Sequence, residues 1–109
     1  MYMHDWAETQ REGLMSDFYL DEAALEGVEI LFASYVQEDY SGYAHVLFRR
    51  DGKFFEVIGN HCSCYGLGEC WEPEEVTLED LLRCIDRSPD YYGDVTVEIV
   101  AVLLKLRAE

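Results

Sequence analysis

The dipeptide Asp51-Gly52, set between two runs rich in aromatic and branched residues, constrains this chain more than any other feature. Asp-Gly supplies the two residues that tolerate positive φ in a type I′ turn, the short loop whose twist matches that of paired strands. Folding about the turn sets Phe48 opposite Phe55, Val46 opposite Val57 and Ala44 opposite Gly59, so one face of the hairpin is apolar throughout. The other face puts Leu47 opposite Glu56 and Arg49 opposite Phe54, and is therefore half buried, or meets a helix or a partner. Upstream, Val28 to Val36 reads as a further strand, joined to the hairpin through the polar stretch Gln37 to Gly42. The expectation is an α+β domain built on a three-stranded antiparallel meander and packed by two or three helices.

Helix signals flank that sheet. Ser16 or Asp17 can cap a first helix running to about Glu26, with Gly27 as its stop. Thr77 at an N-cap and Asp80 after it approximate a capping box, and Val76 and Leu81 are spaced as a hydrophobic staple. Leu78, Leu81, Leu82 and Ile85 then form one apolar face before Pro89. Asp94 to Glu109 is rich in Val and Ile, as strands are, yet Asp94, Glu98, Lys105 and Glu109 recur near helical spacing. The reading favoured is a helix buried nearly all round, with an interface between two copies as one way to bury it. About the first twelve residues read as loosely ordered, and the whole chain as a single domain.

Charge decides which partners such a domain suits. Eight Lys and Arg against 23 Asp and Glu give a formal net charge of −15, while eight Tyr, five Phe and two Trp supply what an acidic disordered tail lacks. No Lys or Arg occurs between Arg11 and Arg49, nor between Lys53 and Arg83. A surface of that sign repels nucleic acid and anionic membranes and attracts proteins whose working surfaces are basic. Direct binding to DNA or RNA is therefore not expected. The plain alternative is that the acidic coat serves solubility alone. There is no apolar run long enough to span a membrane and no basic-then-apolar leader, so a cytosolic setting is expected. In that compartment Cys62, Cys64, Cys70 and Cys84 are thiols or metal ligands and not structural disulfides.

His61, Cys62, Cys64 and Cys70 together could supply a tetrahedral zinc set. Their spacing weakens that reading, because zinc knuckles carry two to four residues between paired cysteines and only Ser63 separates Cys62 from Cys64. The opposing reading is a tight turn in which the cysteines are small hydrophobes, as Cys84 is within its helix. A cysteine nucleophile is disfavoured, since neighbouring negative charge raises thiol pKa values. The chain has no Cys-x-x-Cys, phosphate-binding glycine loop or nucleophile elbow, and no enzymatic activity is expected. His4 and His45 read as satisfied surface or sheet-facing side chains.

The segments Ile30 to Tyr35, Tyr40 to Ala44, Val46 to Lys53, His61-Cys62-Ser63-Cys64-Tyr65-Gly66-Leu67 and Trp71-Glu72-Pro73-Glu74-Glu75 resemble small acidic proteins of tailed phages and prophages. The resemblance spans residues 28–82 and does not include a cysteine at Cys70, so a three-cysteine zinc site is not implied by it. It implies expression inside a bacterial host cell. In that setting small acidic proteins serve as inhibitors of host defence, their carboxylates occupying channels built for phosphates. The expected function is thus an acidic binding protein, possessing the character of a nucleic-acid mimic, that inhibits a host nucleic-acid-binding complex. Candidate contacts are Glu69, Glu72, Glu74, Glu75, Glu79 and Asp80, followed by Asp17, Asp21, Glu22 and Glu26. The alternative is a small zinc-binding structural or regulatory protein organised by the His61-Cys62-Cys64-Cys70 loop.

Overall fold

In the computed structural model the chain is an α+β fold, described for residues 1–38, 41–62, 67, 71–89 and 92–109. Its sheet contains β1 (Tyr2–His4), β2 (Glu29–Glu38), β3 (Ser41–Arg50), β4 (Lys53–Cys62) and β5 (Glu74–Val76), in that spatial order. The helices are α1 (Trp6–Asp17), α2 (Leu78–Arg87) and α3 (Thr96–Arg107), with single 3₁₀ turns at Glu22–Leu25 and Gly93–Val95.

The hairpin forms in the register its turn dictates. Asp51 and Gly52 take φ of 55° and 77°, and Phe48 pairs with Phe55, Val46 with Val57 and Ala44 with Gly59. The meander is the centre of a larger sheet, which corrects the three-stranded expectation. β5 adds antiparallel to β4, and β1 adds parallel to β2 by pairing Tyr2 with Ala33. The polar linker expected between the first two long strands is also shorter, because β2 continues to Glu38 and β3 begins at Ser41.

Both sheet faces are covered. A register shift between Ile30 and Phe32 turns the alternation of β2 over. Ile30, Ala33 and Tyr35 therefore face one layer while Leu31 and Phe32 face the other. On the first face Ala33, Tyr35, Val46, Phe48 and Val57 pack with Trp6 and Leu14 of α1 and with Phe18 and Leu25. On the second, Phe32 and Leu47 meet Leu81 and Ile85 of α2 and Ile99 and Leu103 of α3.

Side chains from the beginning of the chain enter this core: Trp6 is 1 % exposed. The first helix also lies upstream of its expected span. Asp17 ends α1 and does not start a helix, because its carboxylate accepts a hydrogen bond from Trp6 Nε1 at 2.7 Å. Asp21 then caps only the 3₁₀ turn, accepting from the Ala24 amide, before Gly27 at φ 75°. α2 follows its sequence signals, with Thr77 Oγ1 accepting from the Asp80 amide at 3.1 Å. α3 is a helix as favoured, but its outer side is open: Val97 is 77 % and Leu104 44 % exposed.

Candidate functional site

The acidic segment leading into α2 is fixed at both ends by packed apolar side chains, the partly buried Trp71 and the buried Leu81. Trp71 stacks on Phe48 with ring centroids 5.7 Å apart and meets the edge of Phe18 at 5.1 Å. Leu81 is buried against the second sheet face. Between these anchors Glu74 and Glu75 sit in β5 opposite Glu56 and Phe55, and Glu72 precedes the strand. Glu79 and Asp80 occupy the first turn of α2, where carboxylates also offset the positive helix end. Glu72, Glu74, Glu75 and Glu79 are exposed and make no ion pair with any described residue, whereas Asp80 is held by Arg83 at 3.2 Å. Glu69 lies outside the described residues.

The second acidic set is divided by the fold. Asp17 accepts a hydrogen bond from Trp6 Nε1, and the exposed Asp21 accepts one from the Ala24 amide, so both also serve local structure. Glu22 pairs with Arg11 at 3.2 Å, and Glu26 is exposed.

Of the cysteine loop, the backbone of His61 and Cys62 completes β4, paired with Gly42 and Ser41. Cys64 and Cys70 lie outside the described residues, and so does the expected zinc arrangement. Among the described residues no group of three or more His, Cys, Asp or Glu side chains is placed to hold a metal ion. Cys84 is exposed on α2, which corrects its expected place in the core: the apolar face falls on Leu81 and Ile85. No helix among the described residues is long and apolar enough to cross a membrane.

One cluster went unread in the sequence. His45, 2 % exposed, lies on the sheet face that carries α2 and α3, between Tyr43 and Tyr92. Its ring meets theirs edge-on, with centroids 4.6 and 4.7 Å away. The Tyr92 hydroxyl donates to the half-buried carboxylate of Glu56, diagonally across the hairpin from His45. Burial pushes the His45 pKa down to about 4, so the imidazole is neutral near pH 7. Burial raises the pKa of Glu56, and the facing Glu74 raises it further, against the lowering effect of the Tyr92 hydrogen bond. Tyr43 and His45, two apart on one strand, were the only local signal, since Tyr92 arrives from far along the chain. An imidazole enclosed and weakened in this way is a packed core group; it is not presented to a substrate as a base.

No protein family, curated protein or solved structure matches the chain.

Proposed function

We propose that this is a binding protein and not an enzyme, and that it engages the basic surface of a host nucleic-acid-binding complex through its β5–α2 carboxylates. The observation carrying this reading is the exposure of Glu72, Glu74, Glu75 and Glu79, unpaired with any described residue, on backbone anchored by Trp71 and Leu81. Carboxylates on a fixed strand and helix start lose little freedom on binding, unlike those of an acidic tail, so their attraction is less offset by ordering entropy. DNA carries about one charge per 1.7 Å of axis, and a basic channel evolved for that density presents several cations to a short acidic patch. The resemblance to acidic phage proteins supports the same reading and makes inhibition by nucleic-acid mimicry its form.

The test is capture of bacterial proteins on the immobilised chain, followed by elution with rising salt and competition with DNA and RNA. Retained nucleic-acid-binding proteins released by salt and displaced by nucleic acid are the expected result. Retained proteins indifferent to both treatments would remove the mimicry reading.

A further inference from the structure

The outer side of α3 bears an apolar line of Val97, Ala101 and Leu104, opposite the buried Ile99 and Leu103. Residues three and four apart share one helix face, so these three form a continuous stripe. One border of it is charged, and the charge changes sign along the helix: Asp94 and Glu98 come first, Lys105 later. Beyond that border a cavity of about 350 Å³ opens between α3 and the sheet, reaching Leu31, Arg49, Val102 and Leu106.

We infer that this face is a homodimer interface, with α3 packed antiparallel against α3 of a second copy. A two-fold axis beside Ala101 makes the pattern its own complement. The small Ala101 side chains allow close approach at the crossing, Val97 of each copy packs near Leu104 of the other, and Glu98 meets the second copy's Lys105 twice. Glu98 is partly exposed and Lys105 exposed, and neither makes an ion pair with any described residue. A basic partner, the kind attracted by the rest of the surface, would meet Lys105 and Arg107 here.

The contact is small. Val97 to Leu104 spans about 10 Å of helix, which places the interface below the roughly 1,200 Å² of stable complexes and makes the dimer weak and concentration-dependent. Its salt response is also fixed in sign. Two copies at −15 repel over long range, so screening tightens the dimer, whereas salt weakens binding through the acidic segment.

Sedimentation equilibrium from micromolar to millimolar chain tests the inference. A monomer–dimer equilibrium strengthened by salt is expected. Ala101→Glu, at an exposed helical position, should leave the circular dichroism unchanged and raise the dimer Kd by about tenfold or more, since it sets two carboxylates against each other at the axis. Glu98→Lys should also weaken the dimer, and the double variant Glu98→Lys, Lys105→Glu should recover it. A chain monomeric throughout, or a dimer untouched by Ala101→Glu, overturns the inference and leaves the acidic-segment reading standing. Loss of host-protein capture with the dimer intact does the reverse.

Discussion

The Tyr43 hydroxyl lies 2.7 Å from Nε2 of His45 and ties a buried neutral imidazole to the half-exposed end of the sheet. The donor in that hydrogen bond is set by the His45 tautomer, and Tyr92 closes the ring's other side.

Acid should destabilise the fold through this group. The folded-state pKa of about 4 lies below the ordinary 6.5, so the unfolded chain binds the extra proton first, and stability falls as pH drops from 6.5 toward 4. The shift corresponds to about 3 kcal/mol at most. Glu56 acts in the opposite sense, because its raised pKa favours the folded state at low pH and that contribution is lost as pH rises. Urea unfolding at pH 7 and pH 4.5 should therefore show a smaller pH dependence in His45→Gln than in the parent. Equal slopes would mean that His45 is not the titrating group.

Asp17 should matter for folding and not for partner binding. Its charged hydrogen bond to buried Trp6 ties the end of α1 back to its beginning. Asp17→Ala, which removes the acceptor, should cost about 1.5–3 kcal/mol in urea unfolding, the range for hydrogen bonds to charged groups, and Asp17→Asn, which keeps an acceptor oxygen, should cost less. Capture of host proteins by the folded variants should be unchanged.

Thr77 fixes the start of α2 and so the direction in which Glu79 and Asp80 project. Thr77→Ala removes the acceptor for the Asp80 amide and should cost about 1 kcal/mol, while Thr77→Ser should cost far less. Equal losses in the two variants would show that the methyl contact and not the cap is responsible.

The hairpin and α2 were legible because each is specified locally: Asp51-Gly52 sets a register that every paired residue then follows, and Thr77 marks a helix start ahead of an amphipathic run. β1 and β5 were not, since three residues carry no periodicity and β1 pairs with residues about thirty positions away. α1 hid for a related reason: among its polar side chains only Trp6 and Leu14 are buried. The reversal of alternation at Leu31 likewise depends on a bulge that composition does not announce. At the candidate site, exposed Glu74 and Glu75 could be read from sequence, but Asp17 and Asp21 could not be told apart from them without their Trp6 and Ala24 partners.

The acidic segment makes the last prediction. Glu72, Glu74, Glu75 and Glu79 are separate exposed charges, and a single surface ion pair is worth about 0–1 kcal/mol, so no one substitution to Gln should change host-protein capture much. Changing all four together removes four negative charges while keeping side-chain size, and Gln matches Glu in helix propensity at Glu79. Retention by the quadruple variant should fall at low salt and lose most of its salt dependence. Its stability should change little: the loss of a favourable charge at the α2 N-terminus costs about 0.3–1 kcal/mol, against which relief of repulsion between Glu74 and Glu56 acts. A folded quadruple variant retained as strongly as the parent at every salt concentration would assign this face to solubility and make the set around Asp21, Glu22 and Glu26 the next to test.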